Sequence, residues 1–233
     1  MTSQRHFRDD LDKLKSTLVG MAGLAEQSVR DAVRALLERD KDGAQRVRDR
    51  DREIDMLELE IDDLAINLLA LQQPMAKDLR FIAMAMKISN DLERVGDHAV
   101  NIAEAVEWLL EAPPFPVIPE IEEMVRVSTE MLGSALDAFV RADSKLAREI
   151  PARDDRVDEL HENNFRILLT HMLEEPRKIT AGMDLLLISG NIERIADLAT
   201  NIAEEVVYLV EGRSIKHRAA RRPAGSPASA PTT

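Results

Sequence analysis

The chain of 233 residues contains no cysteine. Disulfides, thiolate metal sites and cysteine nucleophiles are excluded, which fits a reducing compartment. Aromatics are scarce, with one Trp, one Tyr and five Phe. Gly and Pro are also few, at nine and ten, and several prolines gather in residues 112–119 and in the C-terminal tail. With turn residues this sparse and Ala, Leu, Glu, Asp and Arg abundant, the expected fold class is all-α. No apolar run reaches about 18 residues, and the N-terminal MTSQRHFRDDLDKL lacks an apolar h-region, so neither a membrane span nor a signal peptide is expected. Basic residues are in deficit: net charge is −12 for the whole chain, and −17 for residues 1–212 once the five Lys/Arg of the acid-free tail 213–233 are set aside. Such a body repels nucleic acid and suits cations or basic partner surfaces.

What is present is an internal repeat. DLERVGDHAVNIAE at 91–104 returns as NIERIADLATNIAE at 191–204, with eight of fourteen positions identical. Most of the identities are polar or charged: Glu93/Glu193, Arg94/Arg194, Asp97/Asp197, Asn101/Asn201 and Glu104/Glu204. Apolar positions drift instead, Leu92 to Ile192 and Val95 to Ile195. Packing alone asks only for apolar residues of suitable volume, so the pattern indicates a task performed twice by charged side chains.

Apolar spacing of three and four predicts long, nearly parallel helices. The first covers residues 8–38. The second starts after a cap at Asp40 or Asp42 and runs to about Gln73, where Pro74 breaks it. The third covers about 77–110. APPFPVIP at 112–119 is a stiff linker, after which the plan repeats: Asp40 maps to Asp143, Asp51 and Asp55 map to Asp154 and Asp158, and Pro74 maps to Pro176. Pro151 should kink or break the fifth helix. The expected architecture is two tandem three-helix bundles, residues 1–111 and 120–212, with a Pro/Ala/Ser-rich tail disordered from about 219.

The repeat places carboxylates opposite one another. Asp55 and Glu93 each lie 19 residues from Pro74, and Asp51 and Asp97 each lie 23. Equal distances from a hairpin turn mean equal heights on antiparallel helices. Asp158 and Asp154 lie 18 and 22 residues before Pro176, and Glu193 and Asp197 lie 17 and 21 after it. On helical angles these acids sit beside the apolar seams, toward the bundle surface. An acidic stripe is ordinarily a solvated face, and Arg52, Arg94, Arg156 and Arg194 are at hand to neutralise it. Two matched sets at mirrored heights favour cation binding. The donors are oxygen-rich and sulfur-free, suiting Mg, Mn, Ca or Fe, with Zn favoured by a histidine ligand. Asn101, Asn201 and His161 are possible additional ligands. His98 points away from Asp97. No Gly-rich phosphate loop is present, so no nucleotide or phosphate site is expected.

Three motifs resemble the PhoU family of bacterial phosphate-signalling regulators: QQPMAKDLR at 72–80, the doubled LERVGDHAVNIAE/IERIADLATNIAE, and EEVVYLVEG at 204–212. The resemblance covers roughly residues 5–217. It implies a pair of three-helix bundles related by a pseudo-twofold axis. It also implies metal clusters on paired acidic motifs, here Asp51, Asp55, Glu93 and Asp97 and then Asp154, Asp158, Glu193 and Asp197. It implies a non-enzymatic, cytoplasmic, homodimeric regulator that restrains phosphate uptake and the starvation regulon, contacting the phosphate ABC transporter ATPase and a sensor histidine kinase at the inner face of the membrane. The second copy departs from the pattern, with Ala196 for Gly and Leu198 for His, so its site is expected to be weaker or differently loaded. The competing readings are a di-metal oxidase or phosphohydrolase, a phosphotransfer module using His98, and a metal-free structural adaptor.

Overall fold

The computed structural model describes residues 2–72, 74–113, 115 and 118–215. The helices are α1 (Thr2–Glu38), α2 (Lys41–Gln72), α3 (Ala76–Glu111), α4 (Pro119–Arg141), α5 (Ser144–Glu149), α6 (Pro151–Glu174) and α7 (Ile179–Glu211), with a 3₁₀ turn at Pro176–Lys178. No strand occurs among the described residues. The all-α expectation holds. The tail read as disordered lies outside the described residues.

Local chemistry sets the breaks. α1 ends at Arg39 with φ 56°, and α4 ends at Ala142 with φ 51°, both in the left-handed region. Each is followed by an aspartate that caps the next helix. Asp143 accepts the backbone N–H groups of Lys145 and Leu146 at 2.9 and 3.1 Å. Asp40 accepts from Gly43 N–H, and that bond holds its carboxyl below the usual range. The repeat therefore extends to the way each helix stops and the next starts. Pro151 takes the first position of α6, after α5 has ended at Glu149, so the fifth helix is broken where its proline required. Gly212, at φ 67°, closes α7.

α1, α2 and α3 pack on one another, and α4, α5 and α6 pack around α7. The two sets join chiefly through α3 against α7, with α1 touching α4. One continuous apolar core results, with Leu14, Leu18, Met21, Ile54, Ile61, Ile88, Leu92, Met124, Met131 and Ile202 fully buried. The α3–α7 seam also carries polar links. His98 Nδ1 lies 2.9 Å from Asn191 Oδ1, and Asn101 Nδ2 donates to the same oxygen at 3.2 Å. Lys87 pairs at 3.3 Å with Glu205, a nearly buried carboxylate. A carboxylate so placed needs a cation, which makes this pair a register-setting contact between the halves.

Candidate functional site: two carboxylate clusters on hairpin faces

Each cluster lies on an antiparallel helix pair, α2 with α3 and α6 with α7. The register is visible in contacts on either side of the acids. Asn90 Nδ2 on α3 donates to Glu58 Oε1 on α2 at 3.3 Å. A Cβ built on Gly96 of α3 would stand 3.3 Å from Asp51 Oδ1 of α2. These contacts place Asp51, Asp55, Glu93 and Asp97 side by side at one level, as the hairpin symmetry requires. In the second pair, His161 Nδ1 on α6 lies 3.0 Å from Ser189 Oγ on α7, which fixes the same register.

The acids are crowded and partly desolvated. Asp51 and Glu93 are half-buried, and Asp55 and Asp97 are exposed. Burial, and then the charges of Asp55 and Asp97, push the Asp51 carboxyl up to about 6. Burial, and then Asp97, Glu58, Asp55 and Asp51, push Glu93 up to about 7. In the second cluster burial, followed by Asp197, Asp158 and Glu193, pushes Asp154 up to about 7. Asp158 and Glu193 are also raised, first by burial and then by Asp197. Carboxylates that hold protons near neutrality because of burial, and then of one another, are poised to exchange them for a cation.

The clusters are not copies. Glu58 joins the first, and the residue equivalent to it in the second is His161, which acts against the raised values of Asp158 and Glu193. The 103-residue offset pairs Glu58 with His161 and was the signal available for including Glu58. The arginines differ too. Arg194 reaches Glu193 at 3.4 Å and Asp197 at 3.3 Å. Its counterpart Arg94 leans instead on Asp91, at 3.9 Å. Position 191 holds Asn where position 91 holds Asp, and the Asn191 carbonyl is occupied by His98 and Asn101. Arg194 thus has no carboxylate at that position to draw it away. Arg156 pairs with Glu159, and Arg52 lines an exposed groove beside Met56 and Glu60. Of these four arginines, only Arg194 has an ion pair to a cluster acid among the described residues.

The possible ligands divide. His161 adjoins the second cluster, Asn201 is half-buried on α7, and Asn101 is engaged with Asn191 between the two halves. His98 is likewise held by Asn191, while its counterpart Leu198 is buried. Among the described residues no three His, Cys, Asp or Glu side chains converge on one metal-sized point. The donor set suits a hard cation, and exposed Asp55, Asp97 and Asp158 have solvent-side rotamer freedom to close on one.

The PhoU domain model matches residues 18–106 and 121–206, one match on each half. A Zymomonas mobilis phosphate-specific transport system accessory protein PhoU homolog is 40% identical over 91% of this chain and 90% of that protein. The Pseudomonas putida protein of the same name is 38% identical over 94% and 86%. The crystal structure of PhoU from Pseudomonas aeruginosa superposes with a TM-score of 0.86 at 39% identity, covering 89% of this chain and all of that one. The phosphate transport system regulatory protein PhoU from Streptococcus pneumoniae gives 0.82 at 31% identity, with 90% and 99% coverage. With two matched domains in tandem, and relatives of this identity spanning nine-tenths of its length, the chain belongs to the PhoU family.

Proposed function

We propose that this protein is the accessory protein of a phosphate-specific transport system and a negative regulator of phosphate uptake and of the phosphate-starvation genes. The observation that carries the reading is the match to accessory proteins of that name over nine-tenths of both chains. The acidic body supports an adaptor for basic surfaces, and no helix among the described residues is long and apolar enough to cross a membrane. In this reading the protein works in the cytoplasm as a homodimer. Its partners are the transporter ATPase and the sensor histidine kinase, at the inner face of the membrane.

The two clusters are the proposed control points. Asp51, Asp55, Glu58, Glu93 and Asp97 would hold one cation, and Asp154, Asp158, His161, Glu193 and Asp197 another. The residues fit Fe, Mn or Mg in the first, with Zn more at home in the second because of its imidazole. A bound cation would supply charge neutralisation between helices that otherwise repel. The chain's own residues do the rest: α2 and α3, or α6 and α7, present the carboxylates, and their splay sets the outer face offered to partners. No catalytic step is assigned, since the acids stand on open helix faces rather than in an enclosed pocket.

The test is genetic. A strain lacking the gene should express a starvation-gene reporter in phosphate-rich medium, and the wild-type chain should silence it. Normal repression in the deletion strain would sink the regulatory reading.

A further inference from the structure

Beyond the carboxylates, the α6–α7 hairpin carries an apolar ladder of six residues, of which the matching α2–α3 positions keep two, Ile66 and Leu79. Phe165, Leu169 and Leu173 on α6, and Ile179, Met183 and Leu187 on α7, are each between 40% and 75% exposed. Phe165 and Leu187 are equidistant from Pro176, as are Leu169 and Met183, and Leu173 and Ile179. Met172 and Gly182, four residues before and six after Pro176, meet across the hairpin, so the two helices are in close contact within the ladder. The six side chains therefore form three nearly level rungs, within one residue of the register of Asp158/Glu193 and Asp154/Asp197. Single exposed apolar residues are ordinary, but six in register over two helices form a patch. In the first hairpin Asp62, Ala70, Ala83 and Lys87 occupy four of the six matching positions, and the other two, Ile66 and Leu79, are exposed apolar residues. The full set of three apolar rungs occurs in the second half.

The rungs run toward the hairpin tip, and the acids continue the same face away from it. Asp155, Asp158 and Glu162 are exposed there. From Asp154 to Leu173 the face is about 28 Å long at the α-helical rise, the length of a helix of about 19 residues. We propose that this face is a docking site for an amphipathic helix of a partner protein, whose apolar stripe lies on the rungs and whose basic end lies on the acids. Charge sets the direction of docking: reversing the helix would move its cations off the acids to the tip, where Arg177 and Lys178 already pair with Glu175 and no net negative charge is offered. A second copy of this chain is the rival occupant, since an antiparallel copy would bring its tip to these acids. The proposal needs neither bound metal nor the regulatory reading.

The test uses the full chain and a fluorescent peptide of about 19 residues with leucines at helical spacing and four lysines at one end. The peptide should bind saturably, and Met183→Asp and Leu169→Asp should each weaken it by about tenfold or more. The matching change in the first hairpin, Ala83→Asp, should leave binding unchanged. A peptide ending in glutamates, or the variant Asp155→Lys/Glu162→Lys, should bind more weakly at low salt. Circular dichroism confirms that each variant is folded. Three results would overturn the proposal: no binding at millimolar peptide, equal binding of lysine- and glutamate-ended peptides, or a dimer in sedimentation that Met183→Asp dissolves.

Discussion

Gly96 on α3 faces Ile54 on α2 so closely that a Cβ built on the glycine would stand 3.0 Å from Ile54 Cδ1. The equivalent positions in the second half are Ala196 and Val157, both fully buried. One methyl has moved across the helix pair: gained at 196, lost at 157. Volume at the level of the acids is conserved, so the alanine need not splay α6 from α7. Gly96→Ala should gain about 0.5–1 kcal/mol of helix propensity and lose about 1–3 kcal/mol to overpacking, for a net loss of about 1 kcal/mol, and Ile54→Val in the same chain should relieve the overpacking. Denaturant midpoints of the single and double variants measure it. An additive double variant would show that the two residues are not coupled.

The raised carboxyls give the metal-free protein a distinctive pH response. Glu93 and Asp154 hold protons up to about 7 when folded and Asp51 up to about 6. Unfolded, all three release theirs near the ordinary values of about 4. The folded state therefore binds the extra protons between those limits, and its stability falls as pH rises through them. The melting temperature should drop from about pH 5 to about pH 7.5, and a divalent cation at the upper end should restore part of it. A melting temperature that climbs over that interval would contradict the account.

Arg194 supplies a guanidinium to the second cluster, where Arg94 leans away from the first. Arg194→Ala should therefore tighten cation binding at the second site, and Arg94→Ala should change the first little. Isothermal titration with Mn in each variant decides it. Equal effects at the two sites would mean that the arginines act only through the overall field of the protein.

Asn191 joins α7 to His98 and Asn101 of α3. Asn191→Ala leaves both partners without their acceptor in a half-buried seam, at a cost of about 1–3 kcal/mol. His98→Leu, which copies the second half, should cost less and should leave repression of starvation genes intact, because the imidazole serves packing between the halves. Loss of repression in a folded His98→Leu protein, together with phosphoryl transfer to the wild-type histidine, would revive the phosphotransfer reading.

These differences mark what the sequence could and could not disclose. Helix limits were legible because Pro74, Pro151, Pro176, Asp40 and Asp143 act through local backbone chemistry. The level of Asp51, Asp55, Glu93 and Asp97 was legible because a hairpin turns residue counts into heights. The behaviour of Arg194 was not, since its direction depends on Asn191, and Asn191 is held by α3 through a contact between the halves that the spacing along either helix does not reveal. The engagement of Asn101 escaped for the same reason. Helical angles put it on the side of Glu93 and Asp97, but the packing of α7 on α3 brings Asn191 to its amide. Glu58 was hidden by its membership of an acidic stripe that looks uniform until the opposing helix selects some of its members.

The most direct measurement is elemental analysis of untagged protein, purified without chelator, beside Asp97→Ala and Asp197→Ala. The account predicts bound metal in the native chain, lowered in both variants but by unequal shares, because Arg194 and His161 make the second cluster a different host. Native protein free of metal, and taking up none from Mn, Fe, Mg or Zn, would contradict it and leave the carboxylates as a docking face for basic partners.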